Sequence, residues 1–351
     1  MIRLALREFR TEGIVGLALA IALGVLLLVT RIHIVNVNDA FQTACRRAHS
    51  CSSTPNPVLT VDNPLQHALP LIAMVAPALI GIFYGAPLIA REVESGLFRL
   101  SWTQSVTLRR WLAVKLGIVG LAAMMIGGLV AWMVDWWMSP IDAVNMNRFG
   151  LSSFGYHGVA PIGYAAFAFA LGATAGALLR RTVPAMGATL AGFVGMRLAV
   201  TYWIRPNFAL PVYESVPLPI NEGGVSFSPV ATTEAFNPPG VTVPNGWVYS
   251  TEAVNKAGHA PTGHYLLNAC PAFFNQAPQP PPTGPKTAAG NTGVTLFNNC
   301  VDKLSRTIHT LVAYQPGSRF WPFQWAEMGV FLVAAIALCG LTYWWLRRQY
   351  G

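Results

Sequence analysis

Residues Ala86 to Lys115 read APLIAREVESGLFRLSWTQSVTLRRWLAVK, a charged segment that lies between two long apolar runs. Its charged residues are Arg91, Arg99, Arg109, Arg110, Lys115, Glu92 and Glu94. A charged, partly helical segment between two membrane spans gives a cytoplasmic protein a surface through which it moves those spans. We therefore take this segment as the stretch around which the rest of the chain is organised.

The composition predicts an integral membrane protein. Of the 351 residues, 53% are hydrophobic and only 11% are charged, whereas soluble domains carry about 25% charged residues. The net charge of +9 would favour nucleic-acid binding in a soluble chain. Here the cations flank apolar runs, as topology signals do in membrane proteins. We therefore expect the lipid bilayer as a partner and no nucleic acid.

Six stretches reach the roughly 20 apolar residues that a membrane-spanning helix needs. They are Gly13–Ile32, Leu69–Ala90, Leu112–Val134, Pro161–Leu179, Val183–Ile204 and Phe323–Leu346. Twelve of the 23 Lys and Arg residues lie in the short segments before span one, between spans two and three, between spans four and five, and after span six. The positive-inside rule assigns such segments to the cytoplasm, so both termini are predicted to be cytoplasmic.

The predicted fold is an all-α integral membrane protein with six transmembrane helices and a small mixed extracellular domain. Residues 1–12 form an amphipathic helix at the membrane interface, or only a charged cap on span one. Residues 13–203 hold spans one to five, with a cytoplasmic loop at 91–111. Residues 204–322, rich in Pro and Gly, form the extracellular domain, and residues 323–351 form span six and a cytoplasmic tail.

Three shorter segments carry their own predictions. Residues 33–67 and 135–160 are expected to be outer loops, the second with an interfacial or re-entrant piece. The segment VDKLSRTIHTLVAY, Val301–Tyr314, places apolar residues on one face at helical spacing. It is therefore predicted to be an amphipathic helix that leads back to the membrane.

The cysteines favour the same topology. Cys45 and Cys51 lie in the first outer loop, Cys270 and Cys300 lie in the extracellular domain, and Cys339 lies within span six. Four loop cysteines allow three pairings, of which we favour the local ones, Cys45–Cys51 and Cys270–Cys300. Because disulfides persist outside the cytosol, this distribution supports the predicted sidedness.

Two intramembrane charges stand out, Arg197 in span five and Glu327 at the start of span six. A cation within a span is costly and marks a functional-site hypothesis. The interpretation that we favour is structural, in which Arg197 pairs with an acid such as Glu327 or Asp135, or extends to the interface.

Glycines at small-xxx-small spacing occur in span two, at Gly81 and Gly85, and in span four, at Gly172 and Gly176. This spacing allows helices to approach closely. Helix packing within the chain is the favoured interpretation, and a subunit interface is the alternative.

Catalytic and metal-binding motifs are missing from the sequence. It contains no GxxxxGK[ST] phosphate loop, no HExxH and no G-x-S-x-G, which are the signatures of a nucleotide site, a zinc hydrolase and a serine hydrolase. We therefore expect no catalytic residues, no metal site and no cofactor in this chain.

One segment resembles a known family. AREVESGLFRLSWTQSV, Ala90–Val106, is similar to the cytoplasmic loop of type-2 exporter permeases of the ATP-binding cassette (ABC) superfamily, with Glu94 and Gly96 matching and Leu97 where Thr is common. Gly163–Phe193 and Tyr314–Glu327 extend the likeness. Together they resemble a bacterial permease subfamily with a large extracellular domain between spans five and six.

The resemblance implies an exporter of an amphipathic or hydrophobic substrate in the bacterial plasma membrane. It implies a homodimer or pseudo-dimer of permeases on separate ABC ATPase subunits, which bind ATP and Mg, so that this chain itself is not an enzyme. The resemblance implies that one short segment couples the chain to the ATPase. This segment contains Arg91, Glu92, Glu94, Gly96 and Arg99.

Two other classes of protein remain as alternatives. A membrane sensor would bind a ligand through the extracellular domain and signal through the same cytoplasmic loop. A membrane-embedded enzyme is a third possibility, weakened by the missing catalytic motifs.

Overall fold

The computed structural model describes residues 10–48, 56–57, 64–94, 108–151, 153–217, 226–227, 236–237, 241, 243–274 and 288–350. The chain divides into a helical unit, Met1–Ala209 with Ser318–Gly351, and a second unit, Leu210–Gly317. The sequence analysis expected the second unit at residues 204–322, so its boundaries in the structure are narrower.

The helical unit is built almost entirely from long helices. In chain order they are α1 (Arg10–Ala48), α2 (Pro64–Ile80), a π-helical turn (Gly81–Gly85), α3 (Ala86–Glu94), α4 (Leu108–Asn145), a 3-10 turn (Phe154–Tyr156), α5 (Ala160–Leu179), α6 (Thr182–Ala199), a second π-turn (Val200–Ile204), a 3-10 turn (Arg205–Asn207) and α10 (Phe320–Tyr350).

Within the described residues, six helices are long and apolar enough to cross a membrane, as the sequence predicted. Spans one to six are Ile21–Arg47, Pro64–Arg91, Leu112–Asn145, Ala160–Leu179, Thr182–Asn207 and Gly317–Gln349. The structure is therefore that of a mostly helical, multi-pass membrane protein.

Two of the predicted outer loops are partly helical, which corrects the sequence analysis. Helix α1 runs for 39 residues to Ala48, well into the segment 33–67, because no proline interrupts it. Helix α4 runs to Asn145, into the segment 135–160, although it contains Pro140. Hydropathy indicates where a helix leaves the apolar layer, but a helix can continue beyond that point through polar residues.

Pro140 also explains how span one meets span three. Because proline has no N–H, the carbonyl of Trp136, four residues earlier, loses its helical partner. The Arg31 guanidinium of span one donates to this carbonyl and lies 4.0 Å from the centroid of the Trp136 ring. Beside it, the Trp137 indole N–H donates to the Thr30 hydroxyl at 2.9 Å.

Helix α5 lies at the centre of the helical unit. Nearly all of its residues are buried, and it packs against α2, α3, α4, α6 and α10. A helix that is apolar on every side is buried on every side. Its many alanines and glycines, in APIGYAAFAFALGATAGALL, allow the neighbouring backbones to approach closely.

The two glycine pairs face each other across this core. A Cβ added at Gly85 would lie 2.6 Å from the carbonyl oxygen of Phe169, and one at Gly172 would meet the backbone of Gly81 and Gly85. A Cβ at Gly176 would clash with the start of α3 in the same way. The small-xxx-small spacings of spans two and four therefore form one close helix contact within the chain.

The second unit is a small mixed α/β structure. Its strands are β1 (Val212–Pro217), β2 (Ser226–Phe227), β3 (Phe236–Asn237), β4 (Trp247–Asn255) and β5 (Ile308–Gln315), and its helices are α7 (Gly263–Ala269), α8 (Pro271–Phe274) and α9 (Ala288–Ser305). The larger sheet has the antiparallel order β1-β5-β4. Strands β2 and β3 form a separate antiparallel pair.

Strand β5 corrects the helix predicted for Val301–Tyr314. Helix α9 ends at Ser305, and the chain from Ile308 onward is the central strand of the sheet. Alternate residues of its first part, such as Ile308 and Thr310, are buried, which is the period of a strand. Hydrogen bonding to two neighbouring strands decides the structure of a short segment that also fits a helical pattern.

A disulfide closes the second unit. It joins Cys270 to Cys300, whose Cα atoms are 5.5 Å apart and 30 positions apart in the sequence. Both cysteines are buried in an apolar cluster with Leu266 and Leu304. Cys45 is also disulfide-bonded, and Cys51, its predicted partner, lies outside the described residues.

Removal of this disulfide should expose the second unit to proteases. A loop of this length contributes roughly 3–4 kcal/mol to folding in the chain-entropy account. We expect Cys270→Ser combined with Cys300→Ser to give a membrane-inserted chain whose second unit is cut at much lower protease concentration. Cys339→Ser, which removes a thiol within span six, is the matched control, and an unchanged digestion pattern in the double variant would contradict the prediction.

Candidate functional site: two ends of the helical unit

One end of the helical unit carries a contact between the predicted coupling segment and span five. Helix α3 ends at Glu94, and the Glu94 Oε2 atom accepts a hydrogen bond from the Thr182 hydroxyl at 2.9 Å and from the Thr182 N–H at 3.4 Å. Thr182 is the first residue of α6, where backbone N–H groups lack helical partners and a carboxylate is favoured. Glu94 thus caps span five and joins it to α3.

The ends of spans four and six lie at this same end of the unit. Arg180 closes α5 in a left-handed conformation, with φ of 54°, and its guanidinium donates to the Gln349 side chain near the end of α10. The cationic segments that follow spans four and six are therefore neighbours, as the predicted topology requires. Which side of the membrane they face stays a prediction.

The other predicted coupling residues are only partly visible. Arg91 is exposed on α3. Glu92 also lies on α3, but its side chain is outside the described residues, as are Gly96 and Arg99 altogether. Of this set, the structure shows a contact for Glu94, and the coupling role of all five residues stays a prediction.

The opposite end of span four holds a buried ion-pair cluster, which we call the Glu327 cluster. It consists of Glu327, Arg205, Arg197 and Tyr164. Arg205 binds the fully buried carboxylate through two atoms, Nε to Oε2 at 2.7 Å and Nη2 to Oε1 at 2.9 Å. The Tyr164 hydroxyl donates to Oε1 at 2.6 Å, and Arg197 Nη1 donates to Oε1 at 3.1 Å.

The π-turn after α6 places both arginines on this carboxylate. In a regular α-helix, residues eight positions apart lie about 80° apart around the axis. The wider turn at Val200–Ile204 reduces that angle, so that Arg197 and Arg205 point to the same side. Arg197 lies 3.9 Å from the centroid of the Tyr164 ring, and Arg205 lies 4.3 Å from that of Phe154.

The sequence predicted one half of this cluster. The pairing of Arg197 with Glu327 is present in the structure, whereas Asp135, the other acid considered, belongs to a separate cluster. Arg205 and Tyr164 were missed as partners, although Arg205 is the stronger ligand of Glu327 by geometry. The available signal was a single acid at the start of span six facing two arginines at the end of span five.

A second polar cluster, the His157 cluster, follows the 3-10 turn Phe154–Tyr156. The fully buried His157 ring pairs through Nδ1 with Asp135, and its Nε2 lies 3.4 Å from Asp142 Oδ2. Arg148 lies 3.7 Å from Asp135 Oδ1. Burial and then the carboxylates of Asp142 and Asp135 raise the pKa of the Tyr156 phenol. Sequence analysis missed this cluster, although Asp135 and Asp142 are seven residues apart and share a helix face.

Gln324 connects the turn to spans four and six. Its buried side chain accepts from the Ala160 N–H at 2.9 Å and donates to the Phe154 carbonyl at 3.0 Å, which caps the start of α5. Gly158 has φ of 67°, and a Cβ there would lie 2.9 Å from Gln324 Cδ. Glycine therefore allows both the left-handed turn and the close approach of this side chain.

In the Glu327 cluster, guanidinium and carboxylate groups are held in fixed hydrogen bonds. In the His157 cluster, an imidazole lies between two carboxylates. Such arrangements suit the positioning of helices or the binding of a charged group. Within the described part of the chain, no three His, Cys, Asp or Glu side chains are grouped so as to hold a metal ion.

The fold and the site define a multi-pass membrane protein with a close-packed helical core and intramembrane ion pairs. Residues 17–205, more than half of the chain, match the family described as ABC-2 membrane transporter related. The chain therefore belongs to this family and is an ABC-2 type permease, which implies partnership with an ABC ATPase subunit. No curated protein and no solved structure matches the chain.

Proposed function

We propose that the chain is the membrane-spanning subunit of an ABC exporter. It moves an amphipathic or hydrophobic substrate outward with ATP that a separate subunit hydrolyses. The observation that carries this proposal is the Glu94–Thr182 contact, because it connects the segment expected to receive the ATPase to a membrane span. Family membership supports the transporter class.

The contact supplies a route for mechanical coupling. A displacement of the loop 91–111 by the ATPase would move α3, which packs against span four through the glycine contact and against span five through Glu94. Both spans have their other end at the Glu327 cluster. A push at one membrane surface is thereby carried to the opposite surface through rigid helices and fixed ion pairs.

The remaining parts of the proposal follow the family resemblance. The partner subunit binds ATP and Mg, and this chain contributes no nucleotide site, no cofactor and no catalytic residue. A second copy of the permease completes a homodimer in the bacterial plasma membrane. The termini face the cytoplasm, and the second unit, Leu210–Gly317, is extracellular.

Co-purification tests the function, and the Glu94 contact tests the mechanism. The tagged chain should retain an ABC ATPase whose activity rises in the complex. Glu94→Gln should lower that stimulation about two- to five-fold, because a carboxylate at a helix N-terminus contributes about 0.3–1 kcal/mol. ATP hydrolysis by the complex is compared with that of the free ATPase.

Thr182 provides the matched pair of variants. Thr182→Val removes the hydroxyl that donates to Glu94 and should reproduce the Glu94→Gln effect, whereas Thr182→Ser should retain most of the stimulation. If all three variants stimulate the ATPase as the unaltered chain does, the contact has no part in coupling.

The sensor remains the second candidate, and a separately folded second unit with its own disulfide is the observation that favours it. A sensor needs such a unit to bind its ligand, although the permease subfamily that the sequence resembles also carries a large extracellular domain. Co-purification of a kinase or a peptidase in place of an ATPase would support the sensor.

A further inference from the structure

We propose that Arg197 forms an anion-binding site in the membrane, which takes the phosphate or carboxylate headgroup of an amphipath. The inference goes beyond the proposed function. It requires that the chain lies in a bilayer, but it does not require an ATPase or transport.

Among the described residues, the carboxylate of Glu327 is shared by two arginines. Two guanidiniums, Arg197 and Arg205, contact the Glu327 carboxylate, and the uncharged Tyr164 hydroxyl donates a hydrogen bond to it. Two nearby carboxylates, Asp135 and Asp142, lie against His157. Because Glu327 is shared, Arg197 makes only one hydrogen bond to it, and a guanidinium in a low-dielectric region favours a further anionic partner.

Arg197 is the member of the cluster that has capacity for a further ligand. Arg205 already makes two short contacts with Glu327 and is 1% exposed, whereas the Arg197 side chain is 16% exposed. Among the described residues, the only acceptor that Arg197 reaches is Glu327 Oε1. A guanidinium has several N–H donors in one plane, so the remaining ones are available to an anion.

The guanidinium is also held in place before any anion binds. One face lies on the Tyr164 ring, 3.9 Å from its centroid. On another side, Nη2 lies against Gly155, where an added Cβ would be 2.6 Å from it. A group that is already ordered loses less conformational entropy on binding, and the planar guanidinium suits phosphate and carboxylate.

The surface beside Arg197 selects an amphipath over a small anion. Val183, Leu190 and Val194 are exposed on α6, at positions that share a helix face with Arg197. From Val183 to Arg197 this stripe is about 20 Å long. An apolar tail along the stripe would bring an anionic headgroup to the guanidinium.

Binding is measured with the full chain in phosphatidylcholine nanodiscs and radiolabelled dodecyl phosphate as the probe. We expect Arg197→Gln to weaken binding about ten-fold or more, since it removes charge-assisted hydrogen bonds. Arg197→Lys keeps the positive charge but not the planar guanidinium, so it should lose less affinity for dodecyl phosphate than Arg197→Gln does. Arg306→Gln makes the same change of charge in the second unit and should leave binding unchanged.

Two further measurements distinguish a resident lipid from a transported amphipath as the source of the anionic headgroup. Native mass spectrometry from nanodiscs of mixed phosphatidylglycerol and phosphatidylcholine should show phosphatidylglycerol retained by the chain and lost from Arg197→Gln if a resident lipid occupies the site. Stimulation of the co-purified ATPase by dodecyl phosphate would instead indicate a transported amphipath. Both outcomes support the anion site.

The proposal is overturned if dodecyl phosphate binds no more tightly than dodecyl maltoside, or if Arg197→Gln binds it as the unaltered chain does. Thermal unfolding of each variant checks that it is folded. Should Arg197→Gln fail to fold, equal binding by Arg197→Lys and the unaltered chain would still count against recognition by the guanidinium plane. Because binding is measured without the ATPase, failure of the exporter proposal would leave this result standing.

Discussion

Glu327→Gln is expected to lower the stability of the helical unit by about 3–5 kcal/mol, the usual cost of leaving buried charges without their partner. The substitution keeps the size of the side chain but leaves Arg197 and Arg205 without a carboxylate. Thermal unfolding in detergent, followed by helical circular dichroism, measures the loss. Asp302→Asn is the control, because the exposed Asp302–Arg306 pair should contribute at most about 0.5 kcal/mol.

Substitution of the two arginines should lower stability by different amounts in the same unfolding experiment. Arg205→Gln removes the two-atom contact of a side chain that is 1% exposed, whereas Arg197→Gln removes one hydrogen bond of a side chain that is 16% exposed. We therefore expect Arg205→Gln to destabilise the chain more than Arg197→Gln. Equal losses of stability in Arg205→Gln and Arg197→Gln would contradict this order. A Glu327→Gln variant as stable as the Asp302→Asn control would show that the cluster contributes little to the fold.

Gly172→Ala is expected to destabilise the chain by about 1–3 kcal/mol or more, which is the range for overpacking a close contact. The added Cβ would lie 2.7 Å from the Ala86 backbone N and 2.9 Å from the Gly85 backbone C. Backbone atoms at a helix contact do not rotate away as flexible side chains do, so the helices must separate. The yield of folded chain and its unfolding midpoint measure this effect.

Gly187→Ala is the matched control for the glycine contact. Gly187 also lies in a span, on α6, but a Cβ there meets nothing within 4 Å. Since alanine favours a helix over glycine by about 1 kcal/mol, Gly187→Ala should leave stability unchanged or raise it. If Gly172→Ala behaves as Gly187→Ala does, the close approach of spans two and four is wrong.

These two predictions concern opposite ends of the coupling route that we propose. The glycine contact joins α3 to span four near the Glu94–Thr182 contact, and the Glu327 cluster joins span four to spans five and six at the far end. Rigid packing between them is what a protein needs if a displacement at one surface is to reach the other. Weakening either contact should therefore lower ATPase coupling as well as stability.

The sequence predicted the parts of the fold that depend on local composition. The six spans follow from apolar runs, because a helix in lipid needs about 20 apolar residues whatever its neighbours are. The Arg197–Glu327 pair was one of the alternatives that the sequence left open, beside Asp135 and extension to the interface, because a cation within a span is costly. Helix packing within the chain was the favoured interpretation of the glycine spacing, and the structure shows that the two glycine pairs meet each other.

The sequence missed features that depend on neighbouring segments. The strand β5 carries a pattern that fits a helix, and its pairing with β1 and β4 decides the outcome. Helix α1 is longer than predicted because it continues through polar residues of the segment 33–67, as far as Ala48. Arg205 was missed because its direction depends on the π-turn at Val200–Ile204, which no hydropathy pattern predicts.

The sequence by itself thus determined that this chain is a six-span membrane protein and where its charges lie along the chain. The length of an apolar run and the positions of charged residues do not depend on the fold, so both can be read directly from the sequence. Only the tertiary structure decided which polar groups meet. Glu94 meets Thr182 at one end, and at the other end Glu327, rather than Asp135, meets Arg197, together with Arg205 and Tyr164. Ion pairs and hydrogen bonds act over a few ångströms, and the helix packing that brings such groups within reach is a property of the whole fold.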